Sequence, residues 1–116
     1  MSIIKSTIDD EEVMVKMYDN PTSKDFLTLL PLSLKFEDYA GTEKISNLPK
    51  RLSTETAPSG SKPSVGDFTY YSPWGNLAIF YRDFDFANRL IKLGKIESGI
   101  EKIASIKGTV TIEKMN

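Results

Sequence analysis

The chain has 116 residues and a mass of 13.0 kDa; 40% of the residues are hydrophobic and 27% charged, the net charge is −1, and cysteine and histidine are both absent. Without cysteine there is no disulfide, thiol nucleophile or thiolate metal site, and without histidine the commonest general base and metal ligand are gone. Any chemistry would therefore rest on carboxylates, Lys, Arg, Tyr, Ser or Thr.

The first predicted element is a hairpin of residues 2–8 and 11–18 around Asp9 and Asp10, because Val13, Val15 and Met17 alternate with more polar neighbours. A short helix follows, capped by Asn20 or Thr22, with Pro21 in its first turn and an apolar stripe of Phe26, Leu29 and Leu30 that Pro31 ends. Leu32, Leu34 and Phe36 alternate with Ser33, Lys35 and Glu37 as a half-buried strand. Residues 38–49 carry turn residues around Ile45 and Leu48 and read as a loop with one brief strand. Residues 53–65, rich in Ser, Thr, Pro and Gly, read as a surface loop of the kind that flanks binding sites.

Phe68 and Tyr70 then alternate with Thr69 and Tyr71 in a strand, residues 72–76 turn a corner, and residues 77–82 form a central strand. Its apolar run, Leu77 to Tyr81, has no polar face, so both sides should be covered. After a polar bend at residues 83–88, Leu90, Ile91, Leu93 and Ile96 mark another strand. A second helix should follow, with a capping box of Ser98 and Glu101 and an apolar face of Ile100, Ile103 and Ala104. Val110 and Ile112 alternate in the last strand. Seven or eight short strands and two short helices, with no βαβ rhythm, predict a mainly β fold. The expected architecture is a small closed antiparallel barrel of about eight strands in a single domain, residues 1–116.

The segments NPTSKDFLTLLPLSLKFEDYAGTEKI, LPKRLS, GDFTYYSPWGNLAIFYRDF and LIKLGKIESGIE resemble the bacterial cyclophilin-like domain family, small proteins of largely unassigned function. The resemblance covers residues 13–112 and implies an eight-stranded barrel with two helices. It carries no activity with it. Cyclophilins that isomerise prolyl bonds use Phe-His-Arg, Gln-Gly-Gly-Asp and Trp-Leu-Asp-Gly-Lys-His segments, none of which stands in this chain.

Candidate site residues gather at the end of the central strand. The Arg82 guanidinium is suited to hold a carbonyl or carboxylate bidentately, or else to form a structural pair with Asp83, Asp38 or Glu43. Tyr70, Tyr71 and Trp74 offer an aromatic wall, although Trp74 at a barrel corner reads first as core, and Tyr70 and Tyr71 must point to opposite faces. The polar segment from Asp38 to Lys44 adds Tyr39 and Glu43. The ligand-binding candidates are thus Tyr39, Glu43, Tyr70, Trp74, Phe80, Arg82 and Asp83 at the barrel rim. Asp83 and Asp85 lack a third ligand, so no metal and no cofactor is expected.

The twelve lysines are scattered and no apolar run approaches the roughly 18 residues of a membrane helix, so neither nucleic acid nor membrane is an expected partner. The opening MSIIKSTIDDEE has no apolar core, which points to the cytoplasm. The expected function is a non-catalytic module for a small molecule or peptide segment. The alternative is a divergent peptidyl-prolyl isomerase, a reaction that needs no nucleophile or base.

Overall fold

Period-two alternation builds the wall of the molecule. The computed structural model describes residues 2–8, 11–106 and 108–115. Eight antiparallel strands close a barrel: β1 (Ile3–Ile8), β2 (Glu11–Met17), β3 (Leu32–Tyr39), β4 (Glu43–Asn47), β6 (Asp67–Tyr71), β7 (Asn76–Phe80), β9 (Leu90–Ser98) and β10 (Gly108–Lys114). Their order around the wall is β1-β10-β3-β4-β7-β6-β9-β2, and β2 pairs back on β1. Two short strands, β5 (Gly60–Ser61) and β8 (Ala87–Asn88), pair as a separate ribbon. The turn expected at Asp9 and Asp10 lies outside the described residues. Among the described residues, no helix is long and apolar enough to cross a membrane.

The inward residues form one core. Ile4, Val15, Leu34, Phe68, Tyr70, Leu77, Ile79, Leu93, Val110 and Ile112 are buried together in it. On β4 the buried positions are Lys44 and Ser46, opposite Ile79 and Leu77 of β7. Register shifts at Met14/Val15 and Phe68/Thr69 bend β2 and β6 against β9. Such bulges give a small barrel its curvature; the neighbours Leu90 and Ile91 serve different clusters because successive strand residues point to opposite faces.

The first helix, α1 (Pro21–Leu27), is capped by Asn20, whose side-chain oxygen accepts from the Ser23 amide at 2.8 Å; Thr22 instead donates to the Ser53 carbonyl. Asn20 and Ser23 also donate to the Lys92 and Leu93 carbonyls, which moors α1 to β9 while Phe26 enters the core. Leu29 and Leu30 lie beyond the helix and pack only partly against that core.

Three local expectations change. Residues 38–49 are more regular than a loop, because β3 runs on to Tyr39 and β4 pairs with it in a hairpin. The surface loop 53–65 contributes Gly60 and Ser61 to β5. The second helix, Ile100–Ser105, is a 3₁₀ turn without a capping box: its cap is Gly99 at φ 89°, with no side-chain hydrogen bond. Ser98 is still in β9, and a Cβ at position 99 would sit 2.9 Å from the Glu12 carbonyl, so glycine holds the chain there. Of its expected apolar face only Ile103 is buried; Ile100 is exposed.

Candidate functional site

Strand β7 is apolar on both faces, and each face has its own cover. Leu77 and Ile79 belong to the barrel core, whereas Ala78 and Phe80 form a second cluster with Leu90, supported by Ile45, Tyr71 and Ala87. That second cluster lies outside the barrel wall. Over it lies a cavity of about 230 Å³, lined by Tyr39, Glu43, Tyr71, Trp74, Phe80, Phe84, Ala87 and Leu90.

Four devices position the lining. Tyr39 pairs with Glu43 across the β3–β4 hairpin, and Glu43 pairs with Phe80, so register aligns all three on one face. The hairpin turns through Ala40 and Gly41 at φ 56° and 67°, closed by the Thr42 amide on the Tyr39 carbonyl and by Asp38 accepting from the Gly41 amide. The corner that carries Trp74 turns at Gly75, φ 66°, whose amide bonds the Tyr71 and Ser72 carbonyls; Arg51 stands against Gly75 and donates to the Ser72 carbonyl at 2.7 Å. The far side, residues 84–90, is held by the β5–β8 ribbon and by Asp83, which accepts from the Val65 amide at 2.9 Å.

The rings meet edge to face. Trp74 lies 5.4 Å from Tyr39 at an interplanar angle of 81° and 5.3 Å from Tyr71 at 83°. The indole thus stands nearly perpendicular to both phenols, and the three rings make one contiguous aromatic cluster in the cavity lining. Glu43 is the one ionisable acid in the lining. Burial pushes its carboxyl up to about 7, the negative charge of Asp38 adds to this, and a hydrogen bond from Thr42 works against it.

A carboxyl raised in this way stabilises the fold when protonated. Its stabilising contribution is complete below the ordinary value of 4.5 and is lost as pH rises to about 7. Glu43→Gln, neutral throughout, is therefore expected to be more stable than the wild type above about pH 7, by ~1–2 kcal/mol after allowance for solvent screening. Thermal melts across the range check this: the advantage should vanish below about pH 4.5.

Of the seven candidates from the sequence, Tyr39, Glu43, Trp74 and Phe80 line this cavity and three do not. Tyr70 is 1% exposed in the core, where its hydroxyl accepts from the Leu52 amide; its neighbour Tyr71 takes the outer place. Arg82 is exposed beyond the end of β7 and forms no ion pair with a described residue. Its supposed partners are engaged elsewhere. Asp83 holds Val65, while Asp38 accepts from the Tyr81 hydroxyl and pairs with Lys44 at 3.4 Å. Lys44, only 6% exposed, also lies 5.7 Å from the Tyr81 ring centre. Trp74 is 51% exposed, a surface ring and not a core one.

Phe84 and Ala87 escaped the sequence reading because residues 83–88 look polar, the signal being two phenylalanines in a stretch without strand period; Leu90 was read as a strand residue but not as part of a site. A second cavity, of about 350 Å³, lies between α1 and the loop, lined among others by Tyr18, Thr22, Ala57, Pro58 and Lys92. Lys92 there is already paired with Asp67. Among the described residues, no cluster of three or more Asp and Glu side chains stands ready for a metal.

A barrel of this order with an outer aromatic cavity is an antiparallel β-barrel with a candidate small-ligand site. The chain belongs to the cyclophilin-like family, whose model matches residues 6–113. Its fold is similar to the solution structure of the hypothetical protein AF2241 from Archaeoglobus fulgidus, with a TM-score of 0.75 over 97% of this chain and 94% of that one, at 14% identity. A search of curated proteins finds no significant match.

Proposed function

We propose that this chain is a binding module that holds a small organic ligand in the cavity of Tyr39, Tyr71, Trp74 and Phe80. The observation that carries the reading is the cluster of three amphipathic rings, two of them edge to face with Trp74, that shares one cavity lining with a half-buried acid. A small molecule fits better than a peptide strand, because the closed barrel leaves its main sheet no free edge for strand addition.

Trp74 is the single tryptophan of the chain, so its fluorescence reports on the cavity alone. In a titration against a library of small molecules, ligands are expected to shift that emission in the wild type and in Arg82→Ala. Tyr71→Ala should weaken them about tenfold or more. Hits that respond to Arg82→Ala and ignore Tyr71→Ala would overturn the reading.

The isomerase alternative needs an arginine beside a proline-sized apolar cavity. Arg82 does not line the aromatic cavity, which removes the group meant to polarise the prolyl amide. A proline-peptide assay at high protein concentration is expected to run at the spontaneous rate; acceleration that Phe80→Ala abolishes would reinstate the enzyme.

A further inference from the structure

We propose that the ligand of the aromatic cavity is a small free organic cation, an alkylammonium, received by Tyr39, Tyr71 and Trp74 and answered in charge by Glu43. The proposal rests on the cavity being a ligand site and adds the ligand's chemical class.

Aromatic faces carry negative potential, and rings set at right angles can surround an ammonium group that a flat stack could only cover. Tyr39, Tyr71 and Trp74 share the lining of one cavity, the indole nearly perpendicular to each phenol at 81° and 83°. The charge of the lining has one sign. Glu43 is its acid, no lysine or arginine takes part, and Lys44, next in sequence, faces the barrel interior opposite Ile79. An anion would meet the Glu43 carboxylate, whose ionisation is already opposed by burial and, secondarily, by the charge of Asp38; Asp38 itself is paired with Lys44 at 3.4 Å. A cation offsets the charge of ionised Glu43. Alkylammonium groups also suit walls of low hydration, because their charge lies under an apolar surface. The volume of about 230 Å³ favours a compact free molecule.

Around Glu43 stand Tyr39 of β3, Thr42 of the hairpin, and Tyr71 and Trp74 across the cavity, with Asp38 and its partner Lys44 on the other face of the β3–β4 hairpin. With no histidine in the chain, Glu43 is the group expected to titrate near neutrality there. A cation should bind its ionised form, so affinity should rise about tenfold between about pH 6 and about pH 8.

Isothermal titration calorimetry with choline, its neutral isostere 3,3-dimethylbutanol, and a peptide bearing trimethyl-lysine tests this directly. Choline is expected to bind about tenfold or more tightly than the neutral isostere, and Glu43→Gln to reduce that preference to the part the rings supply. Trp74→Ala should weaken both ligands; melts establish that each variant is folded. Equal affinities that ignore Glu43→Gln but fall with Trp74→Ala would overturn the cation inference and leave the ligand site standing. Choline failing to bind at millimolar concentration would overturn the inference as well, while the library titration decides the site separately. A peptide bound about tenfold more tightly than choline would overturn the free-molecule assignment.

Discussion

Phe26→Ala is expected to destabilise the protein by about 3–5 kcal/mol, the largest loss from any single truncation considered. Phe26 is fully buried although it belongs to a seven-residue helix, and its ring meets Phe68 of β6 edge to face at 5.6 Å and 66°. The helix is too short to persist by propensity alone, so its place depends on this anchor together with the Asn20 and Ser23 bonds to β9. Removing the ring leaves a cavity in the core against Phe68. For a domain of this size the melting temperature should fall by roughly 12–20 °C. A double-mutant cycle with Phe68 should return a coupling of about 0.5–1.5 kcal/mol; a loss below about 1 kcal/mol would mean that α1 is not part of the core.

Asp67→Ala should cost the next most, ~2–3 kcal/mol, because the Ser64 amide loses its acceptor while the two half-exposed lysines can turn to water. Asp67 is 1% exposed, accepts from the Ser64 amide at 2.8 Å, and pairs with Lys92 at 3.1 Å and Lys95 at 3.2 Å. Lys95 reaches on to the Val65 carbonyl, and Val65 in turn is bonded to Asp83. One carboxylate therefore ties β6, β9 and the loop to the segment that walls the aromatic cavity. Burial works to raise its carboxyl, but the Ser64 amide and the two lysines outweigh it and hold it below the ordinary 3.8. A depressed carboxyl contributes stability that is present above that value and disappears as pH falls through the folded one. Acid unfolding should thus steepen below about pH 4 in the wild type and flatten in Asp67→Asn. Equal acid sensitivity of the two proteins would contradict the assignment.

The barrel was legible because its strands alternate: Val13, Val15 and Met17, or Phe68 and Tyr70, state their buried side without help from the rest of the chain. The double-sided run at Leu77–Phe80 correctly implied cover on both faces, but not that the outer cover would be residues 84–90. Strands of two residues, such as β8, have no period to read. Which of Tyr70 and Tyr71 faces out depends on register, and register is fixed by pairing with β7 and by the bulge against β9, both long-range. Trp74 was misjudged because large aromatic residues are usually buried; its exposure follows from the Gly75 corner, which lifts the ring over Tyr39 and Tyr71. Arg82 and Asp83 looked like a pair because they are adjacent. The strand ends at Phe80, and Asp83 turns instead to a backbone amide of the loop.

Fluorine NMR of the protein labelled with 5-fluorotryptophan tests the central claim most directly, because one resonance, from Trp74, stands for the cavity. Titrated with a library of small molecules, that resonance should move for a subset rich in organic cations, and Tyr71→Ala should displace the titration to about tenfold higher concentration while Arg82→Ala leaves it in place. A resonance that no compound moves, or that moves equally in Tyr71→Ala, would contradict the account.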